Sequence, residues 1–397
     1  MPFYHRLGDL PHKRHTQFRK SDGSLYSEQV MGTKGFSGVE AILYHHYPPT
    51  AILEVQDLGP ATIEFEREGA LRHRHFRTAQ AQPGGDVVSG RQYMLANHDV
   101  AIAVCRPTEE QRYFYRNGQG DEVLFVHEGE GALETIFGEL PYRRGDYLYL
   151  PIGCTWRLRP AGGETRLLVI ETTGEVTTPK RYRNEHGQLL EHSPYCERDF
   201  RVPLQLTPHD EKGAFEVHVR ARGRLTKHVL DHHPLDVVGW DGYLYPYAFN
   251  IEDFEPITGR IHQPPPVHQT FQGPNFVLCS FVPRLFDYHP QSIPAPYNHS
   301  NVESDEVLYY VEGNFMSRKG IEEASITQHP AGLPHGPHPG TAEASIGKER
   351  TEELAVMVDT FKPLYVATSA LALEDPNYAY SWTHGKAPRD WRAEQTD

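Results

Sequence analysis

The 397-residue sequence predicts an all-β protein, and three observations carry that prediction. Short runs rich in β-branched and aromatic residues recur along the chain, each bounded by Gly, Pro or Asp. Pro (32), Gly (34) and Tyr (22) are plentiful, which favours short strands joined by turns. Helix-favouring Ala/Leu/Lys stretches are scarce. The expected architecture is a sandwich, jelly roll or barrel. The length suits two domains, or one large domain with additions.

Taken in order, the strand-like runs are "AILEVQ" (51–56), "VAIAVCR" (100–106), "EVLFVHEG" (122–129), "DYLYLP" (146–151) and "RLLVIET" (166–172). They are followed by "FEVHVRAR" (215–222), "NFVLCSFVP" (275–283), "EVLYYVEG" (306–313) and "LAVMVDTF" (354–361). A polar, turn-rich stretch (172–188) is expected to follow the first β-unit. The stretch "IHQPPPVHQ" (261–269) holds consecutive prolines and is expected to be an extended loop.

Composition excludes several classes of function. The net charge is −14, from 53 acidic against 39 basic residues, which argues against nucleic acid as a main partner. The basic stretch "HKRHTQFRK" (12–20) reads as a solvated or inter-subunit arm. Cys105, Cys154, Cys196 and Cys279 are widely spaced and form no CxxC pair, so reduced thiols in a cytoplasm are expected. No apolar run is long enough to span a membrane, and no apolar stretch follows the basic N-terminal residues as a secretory signal would require.

The chain also repeats itself. "YRNGQGDEVLFVHEG" (115–129) aligns without a gap on "HSNVESDEVLYYVEG" (299–313), and "LPIGCTW" (150–156) aligns on "HPAGLPH" (329–335). Matched motifs in the same order indicate an internal duplication of a β-unit. The copies differ at the ends of the alignment. Tyr115 and Trp156 in the first copy stand where His299 and His335 stand in the second. The second copy can therefore offer two imidazoles to a metal, while aromatic bulk fills the first.

Alternation along a strand puts His299 and Asn301 on one side. Glu306 follows after a short turn, and His335 follows the turn "PAGLP". Three strands of a small barrel can thus aim His299, Glu306 and His335 at one interior point. Two His and one carboxylate leave several metal positions open, the pattern of non-haem Fe(II) oxygenases. The same set suits a catalytic zinc with an open water position, and manganese is also compatible.

The pattern His299-x-Asn301-x(4)-Glu306-x(6)-Gly313, followed by Pro330-x-Gly332-x(2)-His335, resembles the paired signature of the cupin superfamily. With its duplication, the chain resembles a bicupin. A closer resemblance, covering most of the chain, is to the homogentisate 1,2-dioxygenase family. It is carried by "KRHTQFR", "LYSEQVMGTKGFSG", "LYHHYPPT", "WDGYLYPYAFNIEDF" (240–254), "PYNHSN" and "LPHGPHPG" (333–340). It implies two double-stranded β-helix units, the first degenerate, with an N-terminal cupin domain and arm over 1–200 and a catalytic cupin domain over 201–397.

The resemblance assigns roles residue by residue. His299, Glu306 and His335 would hold Fe(2+). His262, in "GRIHQPPP", would be the proton-accepting histidine. Tyr297, His329, Phe315 and His335 would face substrate, and Asn301 would stand behind the ligands. Phe315 is a departure, because the family has a substrate-bonding tyrosine there. His299 and Glu306 also stand one residue further apart than in some members, which makes Asp305 a competing carboxylate. Alternation favours Glu306, since Asp305 should point the opposite way. The implied reaction is oxidative ring opening of homogentisate by O2 to maleylacetoacetate, in tyrosine and phenylalanine catabolism, by a trimer or hexamer. The rivals are a dioxygenase for gentisate or a substituted hydroquinone, a zinc or manganese isomerase, and a non-catalytic binding bicupin.

Overall fold

The computed structural model describes residues 3–67, 69–259, 264–313, 315, 318 and 320–383. Every strand-like run of the sequence is a strand in it, with ends shifted by a few residues. The one α-helix among the described residues is the short segment Thr341–Ser345. No helix there is long and apolar enough to cross a membrane. The four cysteines are free thiols, three of them buried. The proline-rich stretch departs from the extended loop expected of it. Pro265–His268 is a 3-10 turn, entered from extended Pro264 with proline at the first helical position, where a missing N–H costs nothing.

Residues 1–63, 83–91 and 102–253 pack as one compact unit, and 64–82, 92–101 and 254–397 as another. The break expected near residue 200 falls inside the first unit. Strand pairing explains the difference. Phe200–Arg201 and Asp146–Leu150 both pair with Tyr247–Asn250, which keeps the chain up to 253 in the first unit. Arg74–Phe76 pairs instead with Ile326–His329, which draws an early segment into the second.

The sequence repeat is a structural repeat. In the first unit Glu122–Glu128 lies between Asp146–Leu150 and Arg166–Thr172, all antiparallel. In the second unit Asp305–Glu312 lies between Ile326–His329 and Leu354–Thr360 in the same way. The register matches residue for residue. Glu122 faces Leu150 on one side and Glu171 on the other. Glu306 faces His329 and Asp359.

One aspartate does the same work in each unit. Asp121 accepts bonds from the N–H of Ile152 (2.8 Å), the N–H of Val176 (2.8 Å) and the Tyr149 hydroxyl (2.8 Å). Asp305 accepts from the N–H of Ala331 (2.8 Å), the N–H of Leu364 (2.9 Å) and the Gln328 side chain (3.0 Å). Ionised acceptors give the stronger hydrogen bonds, and these satisfy buried backbone donors that have no ladder partner. Each aspartate thereby fixes the turn beyond the next strand. Gly153 and Gly332 close those turns at φ 79° and 80°, a left-handed conformation that disfavours any residue with a Cβ.

In the first unit the interior is filled. The rings of Tyr115 and Trp156 are fully buried and pack edge to face at 5.4 Å. Glu122 is matched by a buried guanidinium: Arg91 Nη1 donates to Glu122 Oε1 at 2.7 Å and to Glu171 Oε1 at 2.6 Å. Arg220 Nη1 donates to Glu171 Oε2 at 2.5 Å. Asn117 Nδ2 adds a bond to Glu122 at 3.1 Å. Two carboxylates are thus balanced by two guanidinium groups. Removing one partner of such a set leaves a buried charge uncompensated. Arg91→Met is therefore expected to destabilise the chain by about 3–5 kcal/mol, read as a lower urea midpoint. A change of less than about 1 kcal/mol would mean that Arg91 is not the counter-charge.

Candidate metal centre

In the second unit the corresponding interior is polar. His299 and His335 face each other as an isolated antiparallel bridge. Each backbone N–H bonds the other's carbonyl at 2.8 Å. That pairing puts both side chains on one face, with ring centroids 4.3 Å apart. Ligand atoms of His299, Glu306 and His335 all lie within 4.8 Å of one another. The arrangement is the one expected from sequence, except that the two histidines sit on paired loop segments rather than on long strands.

The hydrogen bonds fix which ring nitrogens face inward. His299 Nδ1 lies 3.0 Å from the Tyr297 carbonyl, and His335 Nδ1 lies 3.3 Å from the Leu333 carbonyl. A carbonyl only accepts, so both Nδ1 atoms carry the proton and each neutral ring keeps its lone pair on Nε2. Those Nε2 atoms stand 3.6 Å and 3.4 Å from Glu306 Oε2. His335 Nε2 is buried and has no hydrogen-bond partner among the described residues. Two ring nitrogens and a carboxylate oxygen converge on one point. Such a donor set fits a divalent cation.

The electrostatics agree. Burial works to raise the Glu306 carboxyl, but the imidazoles of His299, His329 and His335 around it outweigh that effect and hold it well below the usual carboxylate range. The neighbouring Glu306 raises His299, against the effect of burial. The first shift keeps Glu306 ionised, and the second reflects the attraction between that carboxylate and the His299 ring. Asp359, across the strand pair from Glu306, is pushed well above the usual range by burial and by the Glu306 charge.

The remaining residues singled out by sequence take varied places. His329 is fully buried between Glu306 Oε1, 2.7 Å from its Nδ1, and the Tyr378 hydroxyl, 3.1 Å from its Nε2. Burial lowers its pKa to about 3, so the ring is neutral. The carboxylate can only accept, hence Nδ1–H donates to Glu306 and the tyrosine hydroxyl donates to Nε2. Both nitrogens are engaged, and the ring orients the carboxylate from behind. Asp305 serves the turn described above and does not join the three-residue set. Tyr297 is 56% exposed next to the site. Asn301 is exposed, unlike its buried counterpart Asn117. Phe315 packs with Tyr310 and Ala355 in an apolar cluster. His262 lies outside the described residues.

The structure also brings up side chains that sequence reading passed over. His73 packs 5.4 Å from the His329 ring and 6.1 Å from His335, and its Nε2 lies 3.1 Å from the Pro334 carbonyl, 261 positions along the chain. The alternating "RHRHF" (72–76) was a usable signal, but only sheet pairing reveals where it docks. Arg72 and Arg74 on the same segment bind Glu374 at 2.7 and 2.8 Å. This tethers the stretch that carries Tyr378. Arg318 donates to the Gly336 carbonyl, and its charge acts on Glu306, His329 and Tyr378. It is a cation next to the centre and outside the ligand set.

If these atoms hold a metal, His335→Ala is expected to weaken divalent binding by at least about 100-fold. That is the upper end of what losing a mere supporting partner costs. Metal analysis of the purified variant decides it, and full metal retention would remove His335 from the centre.

Comparisons with known proteins give the chain's relatives. Residues 71–251 match the family model described as "Homogentisate 1,2-dioxygenase N-terminal". A protein of Saccharolobus solfataricus carrying the name "Putative dioxygenase" is 43% identical over 96% of this chain and 99% of its own length. The homogentisate 1,2-dioxygenase of Nitrobacter hamburgensis is 30% identical over 70% of this chain. This chain spans 64% of the length of that enzyme. A cupin barrel protein of Leptotrichia buccalis is a distant structural likeness, with a TM-score of 0.34 and 9% identity over 74% of this chain and 98% of its own. The near-full-length match places the chain in one family with that putative dioxygenase, and its residues 71–251 are similar to the N-terminal part of homogentisate 1,2-dioxygenases.

Proposed function

We propose that the chain is an Fe(II)-dependent ring-cleaving dioxygenase for a para-dihydroxylated aromatic acid, with homogentisate as the first candidate and maleylacetoacetate as its product. The observation that carries the reading is the convergence of His299 Nε2, His335 Nε2 and a Glu306 oxygen on one point, with His335 Nε2 otherwise unpartnered among the described residues. The dioxygenase relatives support it. When bound there, iron supplies the redox chemistry for oxygen and lowers the pKa of a coordinated phenol.

The chain's own residues do the rest. Tyr378 and His329 form a relay that holds Glu306 in one orientation, so the open side of the centre stays fixed. Arg318 offers a guanidinium beside the centre, and a planar fork of donors suits a substrate carboxylate. A substrate pinned at its carboxylate and at the centre has its ring held in one geometry, which lowers the entropic part of the barrier. His262 is proposed, by family resemblance, to accept the proton of the hydroxyl away from the centre.

Phe315 favours a second reading within the same class. Its ring is engaged in apolar packing where the family has a tyrosine, so a gentisate-like or substituted hydroquinone substrate that needs no hydroxyl there is the alternative. A metal-dependent isomerase or a non-catalytic binding protein would consume no oxygen.

Protein loaded anaerobically with Fe(II) is expected to consume one equivalent of O2 per homogentisate. Both labelled oxygen atoms should appear in the ring-opened product. No uptake with any dihydroxylated acid, in a protein that retains zinc tightly, would exclude the dioxygenase reading. Uptake with gentisate but not homogentisate would select the alternative. Arg318→Ala is expected to raise KM for the acid about 10-fold, the loss of one charge-assisted hydrogen bond, with little change for a substrate lacking the carboxylate. Equal effects on both substrates would deny Arg318 that role.

A further inference from the structure

The two copies can be read against each other at the carboxylate centre. In the first, Glu122 and its cross-strand partner Glu171 both accept from one atom, Arg91 Nη1, at 2.7 and 2.6 Å. A cation therefore sits between two facing acidic side chains. In the second, Glu306 is in the register position of Glu122, and Asp359 is in that of Glu171. Side chains directly opposite on an antiparallel pair share a face, so Asp359 points to the side from which Glu306 faces the histidines. Its Oδ1 is buried and has no hydrogen-bond partner among the described residues.

From this we infer that Asp359 is the second carboxylate of the metal centre, stationed behind the ligands to hold a divalent cation. The inference rests on the metal reading of His299, Glu306 and His335. The three-residue set does not include Asp359, so its part is charge rather than a coordinate bond. The charge balance supports it. In the first copy two carboxylates are matched by two guanidinium charges, those of Arg91 and Arg220. In the second copy a bound ion of charge +2 would match the pair Glu306 and Asp359, when both are ionised, in the same way. The duplication thus kept a pair of facing acids and changed only the kind of cation that joins them.

The test measures binding of Mn(II) alone to metal-free full-length protein by calorimetry, together with the melting temperature of the metal-free form. Asp359→Asn keeps the shape and removes the charge. It is expected to weaken Mn(II) binding about 10-fold or more, in the range seen when partners behind metal ligands are changed. The metal-free melting temperature should hold, because the amide keeps the shape of the acid it replaces. Asp359→Glu is expected to bind within about threefold of the parent, since charge is retained and glutamate already occupies the equivalent position at Glu171. Parent-like binding by the asparagine variant overturns the inference while leaving the metal site standing. A drop in metal-free melting temperature with Asn, or an equal loss with Asn and Glu, makes Asp359 a packing residue and also overturns it. Failure of the parent protein to bind Mn(II), Fe(II) or Zn(II) would remove the metal reading and this inference together.

Discussion

A buried carboxylate near the start of a strand has to be matched by positive charge. Taking an ion out of water costs several kcal/mol unless a partner repays it. Glu122 and Glu306 are such carboxylates, each at the centre of three antiparallel strands. In one unit the partner is Arg91, with aromatic rings closing the space around it. In the other the surroundings are His299, His329 and His335, a set of donors that fits a divalent cation. Much of the second unit's interior chemistry follows from that arrangement.

The scaffold that meets it is conservative between the copies. Asp121 and Asp305 bind the same two backbone positions in each unit, and a left-handed glycine turns the chain at the same step. These features fix the loop that ends in Trp156 in one copy and His335 in the other. A single substitution at the end of a rigid turn can then exchange a packing residue for a ligand without altering the backbone. The ligands in turn are held from outside: carbonyls fix the tautomers of His299 and His335, and His329 with Tyr378 fixes Glu306. Side chains supported in this way are held in one geometry.

Much of this was legible in the sequence, for local reasons. Strand-forming runs carry their own signal in β-branched and aromatic residues, and each became a strand. The duplication was visible because Asp-Glu-Val-Leu and the Pro-x-Gly turn recur in order. His299, Glu306 and His335 stood out because the other copy lacks both histidines. What escaped were residues whose relevance depends on pairing across long sequence distances. His73 reaches the centre from a segment expected in the other domain, because Arg74–Phe76 pairs with Ile326–His329. Nothing in "LAVMVDTF" marks Asp359 until strand register sets it opposite Glu306.

By itself, then, the sequence determined the all-β class, the repeat and the identity of the three converging side chains. Periodicity, turn chemistry and internal comparison are properties of the chain read along its length. Only the tertiary structure decided that Asp305 serves the turn, that His329 backs Glu306, that Arg318 and Tyr378 border the site, and where the compact units divide. The physical reason is that hydrogen-bond register, burial and charge balance are pairwise quantities. They acquire values only when strands far apart in sequence are laid side by side.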